Sequence, residues 1–88
     1  KKDLRYFDLL YRKYFPKINN FVYHRVQDDG IKNEIVSNVF FNAMKKISHF
    51  RYFKSRKSSF SSWLYRIAVN EVNQYYRDRK KEKKMSEI

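Results

Sequence analysis

Basic and aromatic residues alternate between positions 50 and 77 in a pattern that suits the binding of single-stranded nucleic acid. Segment 50–59 reads FRYFKSRKSS, and polar or basic residues follow Trp63 at offsets of three, seven, ten and fourteen. A single strand is commonly held by cations that follow its phosphates and by side chains that receive its unstacked bases. The candidate contacts are Arg51, Tyr52, Phe53, Lys54, Arg56, Lys57, Trp63, Arg66, Asn70, Asn73 and Arg77.

These candidate contacts would contribute differently to affinity and to sequence recognition. The Asn70 amide can hydrogen-bond to a base edge, whereas arginine and lysine side chains would contact phosphates and give affinity without sequence preference. A second interpretation of the same residues is structural. Phe53, Phe60 and Trp63 are also suited to anchor the loop to a core, in which case the charges form a solvated surface.

The net charge points to a polyanionic partner. The chain carries 21 Lys plus Arg against 9 Asp plus Glu, a formal charge of +12 that repels itself unless a polyanion offsets it. Nucleic acid is the favoured partner, and an acidic membrane surface is the alternative. The longest apolar run is far shorter than the ~20 residues that span a bilayer, and no secretory signal is visible, so no membrane partner is expected. The lack of Cys fits a reducing compartment and predicts a cytoplasmic protein.

The sequence predicts neither catalysis nor a cofactor. His24 and His49 are isolated, without a Cys or a carboxylate cluster to complete a metal site. The single Gly30 cannot form the glycine-rich loop that cradles a phosphate. The serines between positions 55 and 62 have no recognisable base or oxyanion hole. We therefore expect a binding domain with no metal, no cofactor and no enzymatic activity.

Helices are expected to position the candidate residues, because one Gly and one Pro leave few sites for the tight turns of a β fold. Apolar residues recur at helical spacing from Asp3 to Val26, where Pro16 either kinks one long helix or starts a second. A turn at 28–30 supplies a carboxylate that caps the next helix, which is predicted to run from about Ile31 to His49.

The rest of the chain is predicted to form an exposed basic loop and a last helix. The loop covers 50–59, and Ser58 or Ser59 caps a helix from Phe60 to about Lys80. The tail RDRKKEKK is expected to fray and stay solvated. The inward-facing residues of this helix are predicted to be Leu64, Ile67, Ala68, Val72 and Tyr75. The predicted fold is all-α, a compact bundle of three to four helices with a basic loop before the last helix.

The second helix is predicted to have an apolar face and an unusual outward side. Its core stripe consists of Ile35, Val36, Val39, Phe40, Ala43, Met44 and Ile47, and its other side of Glu34, Ser37, Asn38, Phe41, Asn42 and Lys45. Residues 28–42 hold three acids and one Lys, and they are the only net-acidic stretch. An acidic face with an exposed Phe41 predicts a docking surface for a basic protein partner. An ordinary polar face with one stray Phe is the alternative.

The sequence resembles region 2 of the extracytoplasmic-function group of sigma factors over roughly Phe7 to Lys84. Two motifs carry this resemblance. The stronger is WLYRIAVN, which ends at Asn70 and is followed by Arg77, similar to the family's WLyxIAxN and downstream Arg. The weaker is EIVSNVFFNAM, which begins at Glu34 and is similar to the family's acidic-Leu-Val-Gln-Glu-x-Phe-Leu pattern. Their order and spacing across a basic loop make the resemblance specific.

The resemblance implies a transcription initiation domain with two partners. One partner would be core RNA polymerase, bound at the clamp helices of its largest subunit by Glu34, Ser37, Asn38, Phe41 and Asn42. The other would be promoter DNA, because the loop and last helix would recognise and melt the minus-ten element through its non-template strand. Asn70 would contact a flipped base. The path of the strand would be lined by Arg66, Asn73, Arg77 and the loop residues Arg51 to Ser59, including Ser58. An anti-sigma factor is a further partner that the resemblance allows.

This chain departs from the family pattern at three positions. Ser37 and Asn38 stand where the family usually has Gln and an acid, and Gln74 stands where it often has Asp, which changes the expected polymerase interface. The family's helix-turn-helix that reads the upstream promoter element is not recognisable in 1–88, so we expect this domain to be a fragment of a longer chain. Two other functions stay open: a sequence-indifferent nucleic-acid-binding domain, and a cationic partner-binding module with no DNA role.

Overall fold

The computed structural model describes residues 4–47 and 59–86. Three α-helices account for most of them: α1 is Leu4–Tyr23, α2 is Asp29–Lys45 and α3 is Phe60–Ser86. The described residues include no β-strand, which confirms the all-α prediction. α2 packs against both other helices, and α1 also contacts α3. These contacts make a helical bundle around one core.

α1 is one continuous helix although it contains Pro16. Proline lacks a backbone N–H and usually kinks or breaks the interior of a helix. Here its side chain is exposed, and the helix continues for about two more turns to Tyr23. Of the two alternatives for this segment, one long helix is therefore correct.

Capping residues set the ends of α2. Asp28 is extended, at φ −96° and ψ 120°, and its carboxylate accepts a hydrogen bond from the Ile31 backbone N–H at 2.9 Å. This confirms the predicted carboxylate cap. The helix ends at Lys45, before the predicted end at His49, and the backbone of Lys46 leaves helical geometry at φ −107° and ψ 13°. The N–H of Lys46 still donates to the carbonyls of Asn42 and Ala43 in the last turn.

The core consists mainly of branched and small apolar side chains from the three helices and from the turn after α1. The buried residues are Ile18, Val22, Val26, Ile35, Val36, Val39, Phe40, Ala43, Leu64, Ile67, Ala68 and Val72. Partly buried aromatic side chains, including Tyr14, Phe15 and Phe21, pack around this cluster. Removal of apolar surface from water, at about 25 cal/mol per Å², is the main force that holds such a bundle together.

Three residues predicted to face inward lie at the edge of the core or outside it. Ile47 and Tyr75 are half-buried, whereas Met44 is 37% exposed. At 3.6 residues per turn, Met44 lies roughly 110° around α2 from the centre of the buried stripe. The prediction for Met44 is therefore wrong, and its side chain belongs to the outward surface, one turn from Phe41.

α3 is longer than predicted and includes the basic tail, since it continues to Ser86. Side-chain hydrogen bonds one turn apart support its second half. Gln74 Nε2 donates to Asp78 Oδ1 at 2.9 Å, and Arg79 Nη1 donates to the Tyr75 hydroxyl at 2.9 Å. Lys, Arg and Glu also favour the helix intrinsically. The prediction of a frayed tail is therefore wrong.

Two polar contacts fix how α3 sits on the bundle. Asn42 Nδ2 of α2 donates to Glu71 Oε2 of α3 at 2.6 Å. The Tyr76 hydroxyl of α3 donates to the backbone carbonyl of Arg25, just after α1. Together they tie α3 to both other helices. None of the helices described in this structure is long and apolar enough to cross a bilayer.

Candidate nucleic-acid and protein interfaces

The first half of α3 presents polar and basic side chains to solvent. Arg66, Asn70, Asn73 and Arg77 are all exposed and recur at intervals of four, three and four residues. This spacing places them on one side of the helix, away from its buried stripe. At a rise of 1.5 Å per residue, they extend over about 16 Å. We call these four residues the polar face of α3, which is long enough to contact more than one nucleotide.

Trp63, at the start of the polar face, is in part a structural residue. It is half-buried against the core, and its ring centre lies 5.5 Å from that of Phe60. The Phe60 ring in turn lies 5.2 Å from the Tyr14 ring of α1. These contacts favour the structural interpretation of Phe60 and Trp63 as anchors of the first turn of α3. Only the exposed part of the Trp63 ring is open to a base.

Ser59 determines where the chain enters α3. Its Oγ accepts a hydrogen bond from the Ser62 backbone N–H at 3.0 Å and lies 3.0 Å from the Ser62 hydroxyl. The predicted cap by Ser58 or Ser59 is therefore provided by Ser59. The other predicted loop contacts lie outside the described residues; they are Arg51, Tyr52, Phe53, Lys54, Arg56, Lys57 and Ser58.

Gln74 organises the far end of the polar face. Arg77 Nη2 donates to Gln74 Oε1 at 2.7 Å, while Gln74 Nε2 donates to Asp78 Oδ1 at 2.9 Å. The Gln74 side chain thus gives the Asp78 carboxylate a hydrogen-bond donor. The positive charge of Arg77 can then interact with a partner such as a phosphate. The spacing of three and four residues from Gln74 to two charged side chains is the sequence signal for this role.

The Arg79 guanidinium is held in its charged form by a side chain one turn earlier in α3. Its guanidinium donates to the Tyr75 hydroxyl at 2.9 Å, and this hydrogen bond is the main reason that the pKa of Arg79 is raised above its usual value. The guanidinium carbon also lies 5.9 Å from the centre of the Tyr75 ring. The Arg79 guanidinium is therefore charged at any accessible pH.

The outward face of α2 combines polar groups with an apolar spot. Its exposed residues are Glu34, Ser37, Asn38, Phe41, Met44 and Lys45. Phe41 is 55% exposed, and the Lys45 ammonium lies 5.1 Å from the centre of its ring. Glu34 is the acid of this face and Lys45 its cation, while the Asp28 carboxylate accepts the capping hydrogen bond at the start of α2. Exposed apolar side chains rimmed by polar ones are typical of a protein-binding surface.

Residues 10–82 match the family model of sigma-70 region 2. The match includes all of α2 and every candidate residue on α3. The chain belongs to the sigma-70 region 2 family.

The sigma-70 region 2 assignment has support from a second comparison. The RNA polymerase sigma-H factor of Pseudomonas aeruginosa is 34% identical over 73 residues, which are 83% of this chain and 36% of that protein. The chain therefore spans about a third of the length of this relative. No solved structure is significantly similar to the chain. The resemblance to sigma region 2 is confirmed, and the extracytoplasmic-function subgroup stays a prediction.

Within this sigma-70 region 2 domain, Asn42 differs from the other predicted polymerase contacts. It is half-buried, and its side-chain amide is bound to Glu71 at 2.6 Å. Glu71 directly follows Asn70 in α3. Asn42 therefore lies between the outward face of α2 and the polar face of α3, at the edge of both.

Of the two histidines of the domain, one lies within the described residues. His24 is exposed, and its ring centre lies 5.5 Å from that of Tyr23. His49 lies outside the described residues. No group of three or more potential metal ligands occurs within the parts of the chain that the structure describes.

Proposed function

We propose that this chain is the promoter-recognition domain of a sigma factor of the extracytoplasmic-function group. The outward face of α2 would dock on the clamp helices of the largest subunit of RNA polymerase. The polar face of α3, with the loop before it, would receive the non-template strand of the minus-ten element. The observation that carries the proposal is that adjoining helices expose surfaces of different chemistry, one with apolar side chains and one with cations and amides. Each surface suits one of the two partners.

Asn70 would recognise a base that has left the stack. It is exposed in the polar face, with Arg66 one turn before it and Asn73 nearly one turn after it. Its amide offers two donors and one acceptor oxygen, which can pair with a base edge. Arg66 and Arg77 would bind phosphates on either side. Unstacking costs a few kcal/mol, which capture of the base and the polymerase contacts would offset. No bond is made or broken in this mechanism.

Phe41 would be the anchor of the polymerase contact. It is 55% exposed, and Met44, one turn further along α2, enlarges the apolar spot. Aromatic side chains that become fully buried at the centre of an interface contribute most of its binding energy. Glu34, Ser37 and Asn38 would surround the anchor with polar and acidic groups. Asn42, which is bound to Glu71, would contribute at the edge.

Base recognition can be tested with Asn70→Ala. The probe is a single-stranded oligonucleotide that a complex of this chain and core RNA polymerase selects from a randomised pool, compared with its scrambled version. Because a good base contact contributes about 1–3 kcal/mol of discrimination, Asn70→Ala should reduce the preference for the selected strand about fivefold or more. Its affinity for polymerase should not change.

The matched control for Asn70→Ala is Asn20→Ala, an exposed asparagine of α1 outside both faces. It should leave strand preference and polymerase affinity as they are. An unchanged preference in Asn70→Ala, or an equal loss of strand preference and polymerase binding, would contradict the role given to Asn70.

A sequence-indifferent nucleic-acid binder is the second candidate function. The observation that favours it is the tail 77–84, in which six of eight residues are Lys or Arg and every side chain is exposed. Such a domain would bind selected and scrambled strands equally, would bind them tightly without polymerase, and would give no role to the outward face of α2.

Several expectations from the sequence stay predictions. They are an anti-sigma partner, a cytoplasmic location, the lack of a cofactor, the lack of catalysis and a longer parent chain.

A further inference from the structure

The turn that follows α1 carries a cation whose position is fixed by the bundle. Arg25 lies just after the end of α1, and its side chain is exposed. Its backbone N–H donates to the Val22 carbonyl at 2.9 Å, and the next residue, Val26, is buried in the core. The backbone of Arg25 can therefore leave the bundle only if these contacts break.

The guanidinium of Arg25 is also held in place. Its Nη1 donates to the Phe21 carbonyl at 3.1 Å, and the guanidinium carbon lies 3.8 Å from the centre of the Phe21 ring. An arginine carries several N–H donors, so this bond leaves others for a partner. Because the side chain is already ordered, a partner that binds it loses less conformational entropy in the complex.

Two contacts with α3 place this cation alongside the polar face. The Phe21 ring lies 5.2 Å from the Tyr65 ring of α3, in an edge-on contact. The Tyr76 hydroxyl of α3 donates to the backbone carbonyl of Arg25. The stack of Arg25 on Phe21 therefore lies beside α3 between the levels of Tyr65 and Tyr76. The polar face occupies nearly the same length of the helix.

Arg25 borders the polar face on the side of α1. At 3.6 residues per turn, Val69 and Tyr76 lie between the buried stripe of α3 and its polar face. They are 41% and 46% exposed. The opposite edge of α3 is the one at which Asn42 binds Glu71. The border with α1 thus combines an ordered cation with exposed apolar and aromatic surface.

This combination suits single-stranded nucleic acid. Sites for a single strand pair cations that follow the phosphates with aromatic rings. Here the rings of Phe21, Tyr65 and Tyr76 lie around the cation of Arg25. Arginine suits a phosphate because its planar guanidinium can donate two parallel hydrogen bonds. Spacing along α3 could not reveal Arg25, because this residue belongs to another element and reaches α3 through tertiary contacts.

We propose that Arg25 binds a phosphate of the single strand held on the polar face of α3, at the border with α1. This inference rests on the proposed function and adds to it a contact from outside α3 and the loop. The guanidinium meets the phosphate without rearrangement, because Phe21 already holds it. The contact gives affinity and determines on which side of α3 the strand passes, without reading a base.

The test compares three variants of the full chain. Arg25→Gln removes the charge, and Arg25→Lys keeps it. The matched control is Arg12→Gln, at an exposed arginine nine residues before Phe21 and so on the opposite side of α1. The Arg12 ion pair with Asp8, at 3.1 Å, is exposed and contributes little stability, so circular dichroism should show equal helix content in all variants. The probe is a random-sequence single strand of about 20 nucleotides, titrated over a salt series by fluorescence anisotropy.

Arg25→Gln should bind the strand about fivefold more weakly than the control variant at about 0.1 M salt, and its salt slope should be smaller in magnitude by about 0.7, the value for one phosphate. Arg25→Lys should keep the slope and stay within about twofold of the affinity of the unmodified chain, because an ammonium also binds phosphate. Equal affinities and slopes in Arg25→Gln and Arg12→Gln would overturn the proposal, since Arg25 would then only cap the end of α1. An Arg25→Lys variant as weak as Arg25→Gln would overturn it too, since the guanidinium would then act by stacking on a base.

The outcome can be separated from that of the proposed function. Strand preference in the polymerase complex, measured on Asn70→Ala, tests the sigma role without a change at Arg25. If that preference is absent but Arg25→Gln still weakens binding of the single strand, the sigma role fails and the phosphate contact stands. If the preference is present and Arg25→Gln binds the strand like the control variant, only the phosphate contact fails.

Discussion

The outward face of α2 and the polar face of α3 rest on one core but have little chemistry in common. On α2, Phe41 and Met44 are 55% and 37% exposed, beside one acid and one Lys. On α3, two arginines and two asparagines are exposed. Both helices use the same apolar spacing to reach the core. The buried stripe therefore determines how a helix sits, and the composition of the opposite side determines which partner it suits.

The largest effect should come from a change that removes the support of both faces at once. Leu64 is fully buried in the core that carries both helices, and Leu64→Ala should lower the free energy of unfolding by about 2–5 kcal/mol, a large part of the stability of a small domain. Urea unfolding followed by circular dichroism measures this loss. Leu9→Ala, at a position that is 65% exposed, should change it by less than about 0.5 kcal/mol. DNA and polymerase binding should fail together in Leu64→Ala.

A smaller change should separate the faces. Phe41→Ala should weaken binding to core RNA polymerase by about 2 kcal/mol, or roughly thirtyfold, because it removes the aromatic anchor. Affinity for single-stranded DNA without polymerase should not change. Tyr23→Ala removes another exposed aromatic side chain, from the end of α1, and should affect neither partner. Polymerase affinity equal to that of the unmodified chain would show that the outward face of α2 is not the docking surface.

Sequence patterns predicted the buried side of each helix better than the edges. The spacing of Leu64, Ile67, Ala68 and Val72 indicated the core, and all four are buried. Met44 was misplaced because a stripe of apolar residues does not show how far around the helix the neighbours reach. The length of α3 was underestimated, since charge alone suggests fraying while hydrogen bonds one turn apart support the helix.

The candidate site was predictable where it depends on helical spacing alone. Arg66, Asn70, Asn73 and Arg77 are exposed on one side of α3, as their offsets predicted. The bond from Asn42 to Glu71 was not predictable, because it joins residues 29 positions apart and depends on how α2 packs on α3. Long-range pairing of this kind is not encoded in a local pattern.

The hydrogen bond between Asn42 and Glu71 lies where the outward face of α2 meets the polar face of α3. Removing it tests whether Asn42 is a structural residue or a direct polymerase contact. Asn42→Ala leaves the half-buried Glu71 carboxylate without this donor and should destabilise the domain by about 1–2 kcal/mol. A double-mutant cycle with Glu71→Ala, followed by urea unfolding, should give a coupling energy of about 1 kcal/mol. Polymerase affinity should fall less than in Phe41→Ala. A coupling near zero would mean that Asn42 is free to act as a direct contact.

The smallest effect concerns the acidic end of α2. Asp28→Ala removes the N-cap and should cost about 1 kcal/mol of unfolding free energy, whereas Asp28→Asn keeps a capping oxygen and should be nearly neutral. Thermal unfolding of both variants measures the difference. The Asp28→Asn variant should also bind polymerase normally, since the role of the Asp28 carboxylate is to cap α2. Weakened polymerase binding in Asp28→Asn would assign that charge to the docking surface instead.

The most direct test of the account is binding of the chain to the selected and the scrambled single strand, over a salt series, with and without core RNA polymerase. We predict a preference for the selected strand that appears or sharpens when polymerase is present, and a salt slope of about −0.7 for each phosphate neutralised. Tight binding that is indifferent to both sequence and polymerase would contradict the account and favour a general nucleic-acid binder. An absence of binding to either strand would contradict it in favour of a protein-binding module.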